Sequence, residues 1–321
     1  MSSNIEAGLL KEQQETPKEH WKDYTVGVMS ASSNTNFAAR ENTKAIGRIL
    51  AKNGFDGANG GYSEGAMKDF ADGFREQCRE EGRSEDEITR HLHGTIFSDK
   101  AIGEGLRNQR GVNDTMSIKE AHTLSGRAGG IIDNSDAIIV AEGGIGTELE
   151  GLLAAQGEWF ALKKNTQLRK EIGEAESSGV LTDELKQNKT AEMVSVKPVI
   201  VIDSKQMFTD IVELAESRSP LTSNTITEHI YVLTGHSNPN SERASGDLSV
   251  ATLKNDVHAA RQLEMILQYY YLLNLKNSSR EQDAEKEKLQ HNLFDKSSEF
   301  RVQTLKERLT SKSTFSEGGG I

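Results

Sequence analysis

Cysteine is almost absent from this chain of 321 residues, in which Cys78 stands alone. No intrachain disulfide and no thiolate zinc cluster can be built from it, and a reducing compartment is the simpler setting. Long apolar runs are missing as well. Residues 1–24 are polar and charged, with no apolar signal core, and no uncharged apolar stretch is long enough to span a bilayer. The chain therefore reads as cytoplasmic, with no membrane partner. Positive charge is short: 38 Lys and Arg face 49 Asp and Glu, for a net charge of -11. That balance disfavours nucleic acid and anionic membranes, which are held by cations that neutralise phosphates. A small phosphorylated ligand needs only a local positive site. Apolar residues make up 35% of the chain and charged residues 27%, so part of it is expected as solvated helix or tail around the core.

What is present is an alternation. Residues 1–23 carry no apolar periodicity and read as a flexible arm, with Trp21 and Tyr24 anchoring its end. From Thr25 the pattern changes to a strand and polar loop, T-V-G-V-M-S-A-S-S-N, and then to a helix over 40–52 with Ala45, Ile49 and Leu50 at helical spacing. A glycine-rich turn over 57–67 follows, then a helix over 66–81 with Phe70, Phe74 and Cys78 on one stripe. Residues 93–98 read as a strand, 118–132 as mostly helical and 137–141 as a strand. Two more strands, 198–202 and 229–233, flank a helix over 205–216. Strands alternating with helices predict an α/β fold: a doubly wound, Rossmann-like parallel sheet with helices on both faces.

Three further segments fall outside that alternation. The charged stretch 161–196 reads as a helical insertion within a nucleotide-binding domain spanning 24–240. Residues 245–321 read as a helical C-terminal extension with a frayed end. Its first helix, over 253–275, is strongly amphipathic, and its second, over 281–312, has a thinner seam of Leu289, Leu293, Phe300, Leu305 and Leu309. The stripe of the first helix must dock on something, which suggests a homodimer or higher homo-oligomer.

The chemistry concentrates after the strand at 137–141, where I-I-V-A-E-G-G-I-G-T-E-L-E-G runs from β-branched residues into glycines and then a helix-like stretch. Strand, glycine-rich turn and helix start is how backbone N–H groups and a positive helix end are brought together around a phosphate or carboxylate. Residues 143–147 (Gly143, Gly144, Ile145, Gly146 and Thr147) form the candidate phosphate cradle, with Thr147 able to donate its hydroxyl. Such a turn also serves sterics alone. Glu150 stands one turn further on, roughly 6 Å along the axis, with its side chain leaning back toward the helix start. His91 and His93 could resemble a metal pair, but no third ligand completes a spacing. Asp136 reads as a strand-edge acceptor.

These residues resemble a known family. S-D-A-I-I-V-A-E-G-G-I-G-T-E-L-E is similar to the P-G-G-x-G-T-x-x-E signature of the LOG (LONELY GUY) phosphoribohydrolases, often mislabelled lysine decarboxylases. Gly143, Gly144, Gly146, Thr147 and Glu150 stand in place, and Glu142 replaces the family proline. Arg127 lies eight positions before Ser135, as the family arginine does before its S-D pair. V-G-V-M-S-A-S-S resembles the family's first strand and serine loop. G-G-Y-S-E-G-A-M resembles its second glycine motif, with Tyr62 where many members have a third glycine. The likeness covers roughly residues 25–236.

The resemblance implies hydrolysis of the N-glycosidic bond of a nucleoside 5'-monophosphate, AMP or an N6-modified AMP as in cytokinin activation, to free base and ribose 5-phosphate. It implies that Arg127 and Glu150 are catalytic and that Gly60, Gly61, Gly65 and Met67 line the nucleoside. Ser32 and Ser33 fit either ribose and base contacts or plain loop filling. A carboxylate at Glu142 repels phosphate unless it points away or pairs with a cation such as Arg127. No cofactor and no metal site is legible, and no lysine site for pyridoxal phosphate supports decarboxylation. A nucleotide-binding sensor, with the helical tail as a partner module, is the competing reading.

Overall fold

The computed structural model describes residues 21–31, 37–97, 111–141, 143–195, 197–202, 230–233, 253, 257–275, 277–298, 300–304 and 307. In chain order these form β1 (Thr25–Met29), α1 (Phe37–Lys52), β2 (Asp56–Asn59), α2 (Gly65–Glu80), α3 (Glu85–His91), β3 (Leu92–Phe97), β4 (Ser117–Ala121), α4 (Leu124–Asp133) and β5 (Ala137–Val140). Then come α5 (Ile145–Ser177), α6 (Asp183–Ala191), β6 (Val199–Val201), β7 (Ile230–Val232), α7 (Val257–Asn274), α8 (Arg280–Phe294) and β8 (Gln303–Thr304).

The strands make one sheet in the order β4-β3-β2-β1-β5-β6-β7-β8, with β1 to β7 parallel and β8 antiparallel to β7. This is the expected Rossmann-like α/β fold. The strands are apolar on both faces because both are covered. In β5 the period of two divides its side chains between two cores. Ala137 and Ile139 join Val26, Val28, Phe70 and Leu263 on one face, while Ile138 and Val140 join Met29, Ala154 and Val199 on the other. Asp136 sets the start of this central pairing. Its carboxylate accepts the Thr25 N–H at 2.9 Å, and burial raises its pKa. Cys78 is core as well, with burial pushing its thiol up to about 12, so it is an inert filler rather than a nucleophile.

Helices α1 and α2 pack with their backbones in close contact. A Cβ on Gly47 would lie 2.2 Å from the Phe70 carbonyl oxygen, and one on Gly73 would lie 2.1 Å from the Lys44 carbonyl oxygen. The two helices approach this closely because Gly47 and Gly73 have no side chain between the backbones.

Four expectations need correction or qualification. Residues 118–132 are not one helix: β4 occupies Ser117–Ala121 and pairs with β3 before α4 begins. β4 is a mostly exposed edge strand, so it lacks the apolar alternation by which a strand is recognised. The second C-terminal helix stops at Phe294. Asp295 Oδ1 there accepts from the Ser297 amide at 2.8 Å and its hydroxyl at 2.6 Å, a side-chain turn that competes with the helix. Phe300 thus leaves the helical seam and stacks on His258 at 5.0 Å. The charged stretch 161–196 begins inside α5, which runs unbroken for 33 residues, and continues as α6. Finally, the stripe on α7 is covered by its own chain. Leu263, Ile266, Leu267 and Tyr270 are buried, and the Tyr270 and Tyr231 hydroxyls lie 2.6 Å apart. The reason given for self-association therefore falls away. The expected helix over 205–216 lies outside the described residues.

Candidate active site

Strand order reverses between β1 and β5, because the chain runs outward from β1 to β4 and then returns beside β1. Open α/β sheets bind ligands at that point, outside the carboxyl ends of the strands. Ser30 and Ala31 follow β1, Gly60 and Gly61 follow β2, and Gly143 and Gly144 follow β5, so three of the loops read from sequence leave the same edge. The first two are tied together by the Met67 amide, which donates to the Ala31 carbonyl at 3.3 Å. Asn59 shapes the second turn. Its side chain accepts from the Gly61 amide at 2.8 Å and donates to the Met67 carbonyl at 2.8 Å. Gly61 and Gly65 both have positive φ, 70° and 60°, a conformation that favours glycine.

Arg127 comes from α4, whose start is fixed by Thr123 accepting from the Gly126 amide at 2.9 Å. Its side chain is 7% exposed and meets Glu150 of α5 with Nη1 to Oε1 at 2.7 Å. Nε donates to the Thr95 carbonyl at 3.1 Å, Nη2 lies 3.7 Å from the Met67 sulfur, and the Tyr62 ring centroid is 5.5 Å from the guanidinium carbon. Burial raises the pKa of Glu150, and the Arg127 charge and hydrogen bond oppose that rise. Burial wins, so the carboxyl titrates above its ordinary range.

The helix start is open. The cap position of α5, Gly144, is extended and makes no side-chain cap. The Thr147 and Glu148 amides close on the Gly144 carbonyl at 2.9 and 3.2 Å, while the amides ahead of them have no acceptor within the helix. A Cβ on Gly144 or Gly146 would meet nothing within 4 Å, whereas one on Gly143 would lie 2.2 Å from Thr147 Oγ1. Gly143 is thus needed for the Thr147 side chain to fold back over the turn, and the other two leave room in front of it. Ile145 opens the helix. Ser32, Ser33 and Glu142 lie outside the described residues.

Several participants carry no sequence signal. Thr95 acts through its backbone carbonyl, which any residue supplies. Ser30 is 1% exposed with a buried hydroxyl that has no hydrogen-bond partner among the described residues, and nothing in the loop sequence separates it from Ser32 and Ser33. His91 and His93 both lie against Asp56, at 2.8 and 3.5 Å. Among the described residues no group of His, Cys, Asp and Glu could hold a metal ion, and no helix is long and apolar enough to cross a membrane.

Gly60 holds the pair open to one test. A Cβ there would fall 1.9 Å from Arg127 Nη2 and 2.5 Å from the Met67 sulfur, so Gly60→Ala is expected to push the guanidinium off Glu150. Because the separated guanidinium and carboxylate are both largely buried, each loses its partner where water cannot replace it, and the melting temperature is expected to fall. A thermal melt of the variant beside the parent checks it.

No protein-family model matches this chain, and no curated protein does. Solved structures do. The molybdenum cofactor carrier protein of Chlamydomonas reinhardtii is similar over 66% of this chain and 89% of its own, at 16% identity and a TM-score of 0.37. The molybdenum cofactor binding protein of the phototrophic bacterium Rippkaea orientalis covers the same shares at 16% identity and a TM-score of 0.38. The structural-genomics target TM1055 is 25% identical over 42% of this chain and 70% of its own, with a TM-score of 0.31. These likenesses name no ligand for this chain.

Proposed function

We propose that this chain hydrolyses the N-glycosidic bond of a nucleoside 5'-monophosphate, AMP or an N6-modified AMP, releasing free base and ribose 5-phosphate. The observation that carries the reading is the buried Arg127–Glu150 pair, 2.7 Å apart, one turn from an uncapped helix start at the carboxyl edge of the sheet. The resemblance to the LOG phosphoribohydrolases supports it through the same residues.

The phosphate would sit on the open amides of α5, where the helix dipole and unused N–H groups favour an anion, and would direct the ribose toward Glu150. As the bond from the anomeric carbon to the base nitrogen breaks, its electron pair leaves with the base and positive charge grows on the sugar ring. The Glu150 carboxylate stabilises that charge and accepts a proton from the incoming water, whose oxygen bonds the anomeric carbon; the departing base takes a proton from solvent, and Glu150 returns its own to solvent at the end of the cycle. Arg127 holds Glu150 in place and favours its ionised form. Its Nη2 faces only a sulfur among the described residues, so it retains donors for the ligand.

The deciding experiment incubates purified protein with AMP and with isopentenyl-AMP and assays free base. Release of base supports the hydrolase. Tight nucleotide binding with no release hands the site to a sensor, although the expected partner tail no longer favours that reading, since α7 lies buried on its own sheet.

A pH profile follows from the burial of Glu150. Its pKa is raised in the folded protein, and the reaction needs the ionised form. Turnover is therefore expected to be full above that raised value and to fall tenfold per pH unit below it, with the acid limb lying above the ordinary carboxylate range. Rates of base release across an acidic buffer series check it, and a limb within the ordinary range counts against Glu150 as the titrating group.

A further inference from the structure

Tyr62 forms one wall around Arg127 that the proposed reaction has not yet used. The Thr95 carbonyl and the Glu150 carboxylate hold Nε and Nη1 of the guanidinium at 3.1 and 2.7 Å. Among the described residues Nη2 has only the Met67 sulfur, at 3.7 Å, and the flat guanidinium lies 5.5 Å from the centroid of the Tyr62 ring. On the remaining side stands Gly60, which has no side chain to restrain the group. The ring is itself fixed at both ends. Its hydroxyl accepts the Phe97 amide at 3.4 Å, its backbone bridges to Val112, and the residue is 3% exposed.

A plain core aromatic would need only volume, which leucine supplies nearly as well. The ring adds a negative face, and a buried cation within about 6 Å of it is attracted by the ring quadrupole. The face opposes outward swing of a side chain that, among the described residues, has two strong hydrogen bonds. We propose that Tyr62 is a positioning residue for the hydrolysis set out above, its ring face holding the Arg127 guanidinium against Glu150. The catalytic half of this inference rests on that reading, while the positional half concerns the free protein. Arg127 is the charged group that acts on the Glu150 carboxyl, so a looser guanidinium leaves the carboxyl with less to oppose its burial.

The test measures two things. The Glu150 carboxyl carbon is followed by NMR in protein labelled with 13C-glutamate, through a pH titration without substrate, and kcat is measured for AMP. In Tyr62→Leu the Glu150 midpoint is expected to rise and kcat to fall about fivefold to thirtyfold, or about 1–2 kcal/mol at roughly 1.36 kcal/mol per factor of ten. Tyr62→Phe keeps the ring and recovers most of that loss. Fluorinated phenylalanines at position 62 keep the shape but drain the ring face, and should reproduce the loss stepwise. They decide the matter if the leucine variant does not fold. A Glu150 midpoint that does not move across the fluorinated series overturns the proposal. Because the titration needs no turnover, it still reads out if the protein hydrolyses nothing.

Discussion

Replacing Glu150 by glutamine is expected to slow base release by about two to three orders of magnitude while nucleotide affinity stays within a few-fold of the parent. The change is nearly isosteric. Arg127 Nη1 keeps an acceptor at the position that now lies 2.7 Å away, so the cage and the open start of α5 should persist. What disappears is the negative charge needed as the sugar becomes cationic, and with it the base for water. The loss therefore falls on kcat rather than on binding.

Stability should move little, and the sign of each contribution is clear. Glu150 has a folded pKa raised by burial, so its favourable contribution to folding is present at low pH and lost as pH rises through that value. At neutral pH the ionised side chain is a cost, which glutamine removes, while Arg127 loses its counter-charge. The two effects oppose each other. Single-turnover release of base, paired with calorimetric binding, reads the split. An unchanged rate would refute the mechanism.

Substitution of Gly47 by alanine is the second large effect, this time on the fold. The added methyl would sit 2.2 Å from a backbone carbonyl oxygen of α2 and 2.7 Å from the Phe74 amide nitrogen. Neither can rotate away, so the two helices must separate. Overpacking of this kind costs about 1–3 kcal/mol and sometimes more, and backbone contacts place Gly47→Ala at the upper end. Gly73→Ala, with Lys44 main-chain atoms at 2.1 and 2.9 Å, should behave alike. At about 2–4 °C per kcal/mol for a large domain, the melting temperature is expected to drop by roughly 5–10 °C. Gly173→Ala supplies the contrast. That glycine lies in α5 with nothing within 4 Å of a new Cβ, so the same substitution should stabilise by up to about 1 kcal/mol through helix propensity. Thermal melts of the three variants separate close packing from propensity.

The readable parts of the chain share a property: their signal is local. V-G-V-M, A-I-I-V and V-I-V announce strands because a strand covered on both faces has nowhere to put a polar residue. The helices α1 and α2 follow from apolar residues at three- and four-residue spacing. β4 was illegible for the opposite reason. S-I-K-E-A is paired on one edge only, most of it faces solvent, and its residues are as acceptable to a helix. The end of α8 was equally hidden, since Phe300, Leu305 and Leu309 continue the sequence seam past Leu293 and the Asp295 turn interrupts it. In the site, the glycines and acidic residues of the β5–α5 turn stood out by composition. Thr95 could not, because a carbonyl carries no side-chain identity.

By itself the sequence determined the α/β alternation, the strand-to-helix glycine turn, and the placing of Glu150 one turn beyond it, since each depends on the covalent order of neighbouring residues. It also supplied an amphipathic α7 but could not say what that face would meet. Tertiary structure decided that the stripe lies on its own sheet, beside Tyr231, rather than on a second copy. It decided too that Arg127, 23 residues from Glu150 along the chain, reaches it at 2.7 Å, with Thr95, Met67 and Tyr62 around the guanidinium. These are long-range contacts. They arise when parallel strands bring distant loops to one edge of the sheet, and the closeness of two such loops is a property of sheet order, which no short stretch of sequence contains.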